Sequence, residues 1–286
     1  MISDITLGQF FPGNSPLHRL DPRTKILLSV LFIVAVFVVA NPISFILLTS
    51  ITLSLIAVSG ISFKVVFKGI KPIIFVLIFT ALINIFMTVG DSEPLVSFWV
   101  INIYTEGIVR AVFMSARVVL LIVGSSMLLT YTTSPISLTD GLESLLSPLK
   151  KIGVPVHVFA MMMTIALRFI PTLIEETEKI MNAQKSRGAD FTSGGLVKRV
   201  KALIPLLVPL FLSSFKRAEE LATAMECRCY RGDKNRTKLI KLTYRTSDYL
   251  WLLMGAIVTA LIFVLRYVPY NLSLEGIIFD IFLYRL

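Results

Sequence analysis

The stretch ILLSVLFIVAVFVVANPISFILLTSITLSLIAVS, residues 26–59, carries no charged side chain and is broken once, at Asn41-Pro42. An uncharged run of this length has no polar face with which to cover a soluble core, so it belongs in a bilayer. Pro42 supplies the turn signal, and residues 26–40 and 43–59 read as two spans forming a tight helical hairpin. Further along, residues 72–89, with Asn84 inside, read as a third span. Residues Ile108 to Tyr131 read as a fourth, and Tyr249 to Val268 as a fifth. The fold class is therefore all-α integral membrane protein, with about five transmembrane helices plus three cytoplasmic or interfacial amphipathic helices.

Composition agrees. Of 286 residues, 55% are hydrophobic and 16% charged, and the mean hydropathy is +0.81, outside the range of ordinary soluble domains. The net charge of +10 is concentrated rather than spread. Residues 135–246 hold 18 of the 28 Lys and Arg against 10 of the 18 Asp and Glu. The basic positions interleave with an apolar helical pattern, which points to lipid and protein partners and away from nucleic acid. Organisation follows in three parts: a four-span region at 1–135, a cytoplasmic helical region at 136–247, and a last span with a short tail at 248–286.

Loop charges set the expected orientation. Arg19, Arg23 and Lys25 precede the first span, and Lys64, Lys68 and Lys71 follow the second. The turn at Asn41 is uncharged, and the loop at 90–104 has Asp91 and Glu93 but no Lys or Arg. The positive-inside rule places the N-terminus and the 135–246 block in the cytoplasm and the C-terminus outside.

Within the basic block, Ser137-Leu138-Thr139-Asp140 reads as a helix start, followed by Leu142, Leu145, Leu146 and Leu149 at helical spacing. A second helix pattern runs from Val156 to Arg187 and a third from Leu196 to Tyr230, where Pro205 and Pro209 should kink the early part. Each long pattern starts apolar and ends amphipathic. Residues 156–174 and 200–215 are apolar enough to resemble spans, but Arg168, Pro171, Pro205 and Pro209 favour helices in or under the interface. On the third pattern Phe211, Phe215, Ala218, Ala222 and Met225 share one face, with Lys216, Arg217, Glu219 and Glu220 on the other.

Both long helices end in an arginine triplet, Ser186-Arg187-Gly188 and Cys227-Arg228-Cys229, the two arginines 41 residues apart. An arginine in a last helical turn favours the helix dipole by ~0.3–1 kcal/mol. A planar guanidinium at each of two such ends also suits bidentate contact with partner carboxylates.

Elsewhere the chemistry is sparse. No G-x-x-x-x-G-K-[ST] loop occurs, so no ATP cradle is encoded, and neither H-E-x-x-H nor G-x-S-x-G is present. The histidines, His18 and His157, read as a structural hydrogen-bonder and an interfacial residue. Cys227 and Cys229 are too close for an ordinary disulfide and read as reduced thiols. Arg110 and Arg117 share a face of the fourth span. Arg117 should face protein or water, pairing with Glu106 or another carboxylate. No span carries an internal Asp or Glu, which weakens the alternative of a secondary transporter with its own intramembrane site.

These motifs resemble those of the transmembrane T component of energy-coupling factor ABC transporters. The similarity covers Gly8-Gln9-Phe10, Pro12, Ser15, His18, Leu20-Asp21-Pro22-Arg23 and Lys25, then Arg168-Phe169-Ile170-Pro171 with Glu175-Glu176, and above all the two triplets. Serine stands for alanine in the first triplet, and cysteines flank the second arginine. The resemblance implies a non-catalytic scaffold in a prokaryotic cell membrane, with no cofactor of its own. ATP and Mg would sit in two partner ABC-type ATPases, and a membrane-embedded S component would carry the substrate, a vitamin or other micronutrient. Ser186, Arg187, Gly188, Cys227, Arg228 and Cys229 would dock on the ATPases.

Overall fold

The computed structural model describes residues 10–88, 96–98, 101–189, 191, 195–230, 232 and 242–267. The chain divides into two compact units, one of Leu142–Lys241 and one of Gln9–Gly141 with Leu242–Leu286.

The larger unit begins with α1, Pro22–Val38. Asp21 caps it by accepting the Arg23 N–H, and Pro22 takes the first helical position, where a missing N–H costs nothing. Pro42 opens α2, Pro42–Ser59, which Gly60 ends at φ +70°. α3, Phe63–Ile70, occupies what the sequence presented as a charged loop. A 3-10 turn at Lys71–Ile73 leads into α4, Ile74–Met87. Strands β1, Val96–Phe98, and β2, Ile101–Ile103, pair antiparallel, Val96 opposite Ile103. This short ribbon in the 90–104 loop had no sequence signal; Asp91 and Glu93 lie outside the described residues. α5, Thr105–Ser125, continues into a π turn at Ser126–Thr130. α6, Pro135–Leu146, starts two residues before the expected cluster, because the Ser134 hydroxyl accepts the Ser137 N–H at 3.2 Å. α9, Thr246–Tyr267, completes the unit.

The hairpin at residues 26–59 turns where expected, but its helices take other partners. α1 packs on α5 and α9, and α2 on α5. Phe32, Val36, Leu48, Leu55, Leu120 and Ile262 form the shared core. Small residues permit the close approaches: a Cβ on Gly124 would stand 2.2 Å from the Phe32 ring. Asn41 does not cap α2. Its amide donates to Leu265 O of α9 at 2.7 Å.

Polar contacts close the same unit. Asp248, 1% exposed, accepts the Asp21 N–H at 2.9 Å and the Arg245 N–H at 2.7 Å. Arg23 donates to Leu242 O and lies over the Tyr244 ring, while buried Lys25 donates to His18 O and Thr132 O. His18 acts as the structural hydrogen-bonder expected of it: Nε2 donates to Phe11 O at 2.9 Å, and Nδ1 accepts from the Ser15 hydroxyl at 2.7 Å. Arg117 donates to Val39 O, the C-cap carbonyl of α1, at 2.8 Å. A cation there meets the negative end of the α1 dipole.

The smaller unit holds α7, Val156–Ser186, and α8, Leu196–Cys227. Pro171, Pro205 and Pro209 lie inside continuous helices. Among the described residues, five stretches are long and apolar enough to cross a membrane: Pro42–Ser59, Phe63–Met87, Thr105–Thr130, Val156–Ser186 and Thr246–Arg266. α7 therefore joins this set although Pro171 and Arg168 pointed to an interfacial position. α1, at 17 residues, is about 26 Å long and falls short of ~30 Å of hydrocarbon. The expected position of the C-terminus concerns residues outside those described.

Candidate coupling site at two helix ends

α7 and α8 are each over 30 residues long, about 45 Å at 1.5 Å per residue. Neither start is held by a side-chain cap, so packing rather than capping maintains them. At α7, His157 Nδ1 lies 2.9 Å from Glu143 Oε1 and ties the first turn to the end of α6.

The helices meet at a polar clamp. Arg217 Nη2 donates to Glu176 Oε2 at 2.6 Å, and the Ser213 hydroxyl donates to Oε1 at 3.1 Å. An open groove of about 270 Å³ adjoins the clamp, lined by Ile165, Phe169 and Leu173 of α7 and by Ser214, Ala218, Leu221, Ala222 and Met225 of α8. Later α8 residues accompany earlier α7 residues, so the two cross antiparallel. Arg217 thus turns toward α7, although helical periodicity assigned it to a polar outer face. Phe211 and Phe215, assigned to the apolar face, stack edge to face at 4.7 Å and are 63% and 60% exposed.

Both helices stop in the same way. Arg187 is the C-cap of α7 with φ −88° and ψ 9°; Arg228 is the C-cap of α8 with φ −89° and ψ 13°. After α7, Gly188 N–H donates to Lys185 O and Ala189 N–H to Gln184 O. After α8, Cys229 N–H donates to Glu226 O and Tyr230 N–H to Met225 O. These are two copies of the Schellman motif, which satisfies the last carbonyls through a left-handed residue after the cap. Gly188 holds that position at φ +86° without cost, whereas Cys229 holds it at φ +58° with a Cβ.

Ser186, Arg187, Gly188, Cys227, Arg228 and Cys229 are all exposed. The fold brings neither triplet to the other: each ends its own arm beyond the crossing. Both cysteines are free thiols. Among the described residues no three His, Cys, Asp or Glu converge to hold a metal ion. The Glu176–Arg217–Ser213 clamp escaped the reading of periodicity, although Glu176 lies within the Glu175-Glu176 motif.

Comparison with known proteins supplies the remaining observations. Residues 13–239 match the family model described as CbiQ, cobalt transport protein. The energy-coupling factor transporter transmembrane protein EcfT of Clostridium kluyveri is 54% identical over 250 residues, 87% of this chain and 92% of the relative. The protein of the same name from Acidaminococcus fermentans is 50% identical over 272 residues, 95% and 99% of the two chains. That from Bacillus subtilis is 47% identical over 266 residues, 93% and 100%.

Proposed function

This chain belongs to the CbiQ-type family of energy-coupling factor transporter transmembrane proteins, and on that premise we propose that it is the subunit linking two ABC-type ATPases to a membrane-embedded S component. It is a multi-pass transport protein of the membrane, with apolar helices in both of its units. The observation that carries the coupling reading is the pair of matched helix ends, two exposed arginines held in one backbone conformation by two copies of one motif.

Arg187 follows Glu176 by 11 residues, and Arg228 follows Arg217 by 11. Each guanidinium therefore stands about 16 Å beyond the clamp along its helix. Two equal arms joined at a polar crossing suit a lever. ATP, with Mg, binds in the partner ATPases. Their approach displaces Arg187 and Arg228, and the clamp passes the motion to the apolar halves of α7 and α8. Exposed Phe159, Met162 and Met163 on α7 and Leu203, Leu207 and Phe211 on α8 offer the S component an adaptable apolar surface. The reading includes a cytoplasmic N-terminus and coupling region, an external C-terminus, and a vitamin or other micronutrient as cargo. The relatives' shared name specifies no substrate, in keeping with selectivity residing in the S component.

The test is co-purification with the ATPase pair, comparing wild type with Arg187→Glu, Arg228→Glu and the double change. Loss of the ATPases from a chain that remains folded in detergent supports docking through these helix ends. Undiminished association of the double variant would reduce both arginines to helix caps.

A further inference from the structure

α3 divides its circumference into three sectors. Val66 is 6% exposed and packs with Ile56, Val123, Met127 and Tyr131, with Val65 and Ile70 beside them. On the same side, a Cβ at Gly69 would stand 2.6 Å from the Tyr131 hydroxyl, so this face is pressed against the α5 end. Phe63 and Phe67, one turn apart, point away from that core and are 55% and 69% exposed. Lys64, Lys68 and Lys71, spaced four and three residues apart, are all exposed. At about 3.6 residues per turn this lysine row lies beside the phenylalanine row.

Position along the chain gives the depth of this face. The 14 residues of α4 carry no charge and none is buried. Counted from Lys71 to Met87, the apolar segment rises about 24 Å, close to the hydrocarbon thickness. The three lysines therefore stand at phosphate depth, while the two rings reach the acyl boundary. The chain has no Asp or Glu between Asp21 and Asp91, so no carboxylate within α1–α4 offsets the row.

We propose that α3 is a binding surface for anionic phospholipid, with Lys64, Lys68 and Lys71 on the headgroup phosphates and Phe63 and Phe67 in the upper acyl layer. The charge complementarity selects acidic over zwitterionic headgroups. Apolar rings continuous with a lipid-exposed span select a bilayer over a soluble acidic protein. The surface is distinct from the two arginine helix ends and does not depend on their role.

The full-length chain in neutral detergent is titrated with phosphatidylglycerol or phosphatidylcholine, and bound lipid is counted by native mass spectrometry. Wild type should prefer phosphatidylglycerol. With each surface lysine contributing roughly fivefold, Lys64→Gln/Lys68→Gln/Lys71→Gln should lower that affinity on the order of a hundredfold. The corresponding triple Arg variant should retain it. Separately, the indole of Phe67→Trp should be quenched by brominated phosphatidylglycerol in nanodiscs. Unchanged phosphatidylglycerol affinity in the Gln variant would overturn the proposal, as would an unquenched indole. Quenching in the isolated chain that disappears in the assembled transporter would also overturn it, assigning the face to a protein partner.

Discussion

Glu176 and Arg217 meet at 2.6 Å, and each stands 11 residues before the arginine that ends its helix. This contact ties α7 to α8 at their crossing, and the Ser213 hydroxyl adds a second bond to the same carboxylate from the helix of Arg217. A half-exposed pair of this kind contributes little to global stability. Its value lies in holding two long arms at one register.

A charge swap separates those roles. Glu176→Arg and Arg217→Glu should each abolish most ATP-dependent uptake in proteoliposomes while shifting the melting temperature little. The double swap should restore a substantial part of uptake. Failure of the double variant to recover, with both singles impaired, would show that each residue acts through something other than the partner across the crossing.

At the left-handed position of the matched helix ends, Cys229 carries the Cβ and thiol that Gly188 lacks. Its left-handed backbone costs about 1 kcal/mol relative to glycine. Cys229→Gly should therefore slow hydrogen exchange of the Cys229 and Tyr230 amides about fivefold. Gly188→Ala should speed exchange at Ala189 by a similar factor. Equal exchange in wild type and variants would mean that the left-handed positions do not control these ends.

Asp248 is buried and accepts two backbone N–H groups, those of Asp21 and Arg245. Asp248→Ala removes the acceptor of both donors, and leaving the buried Asp21 N–H unsatisfied costs ~1–3 kcal/mol. The variant should lose several degrees of thermal stability in detergent, and Asp248→Asn, which keeps one carbonyl oxygen, should lose less. An unchanged melting temperature for Asp248→Ala would show that the junction of Asp21 with the α9 start is not a stabilising contact.

What was readable in the chain was local. Uncharged runs marked the apolar helices and Arg187-Gly188 marked the stop of α7, because stops depend on a few adjacent residues; the start of α1 at Pro22 lies four residues before the expected run, where the Asp21 cap precedes it. α3 escaped notice because three lysines in ten residues resemble a loop. Their helical spacing beside Phe63 and Phe67 was the available signal. Arg217 was assigned to the wrong side because a helix exposed on most of its surface has no single buried face. Periodicity then separates polar from apolar residues but does not say which of them meets a neighbour.

The sequence by itself determined a multi-helix membrane protein, its family, and two arginine-ended helices, since hydrocarbon burial and helix termination act over one segment at a time. Only the tertiary structure decided that α1 packs chiefly on α9 and α5, that Asp248 holds the Asp21 amide across 227 residues, and that Arg117 caps α1. Apolar helices present nearly uniform sides. Their partners are selected by close approaches such as Gly124 against Phe32 and by the few polar groups that must be satisfied away from water.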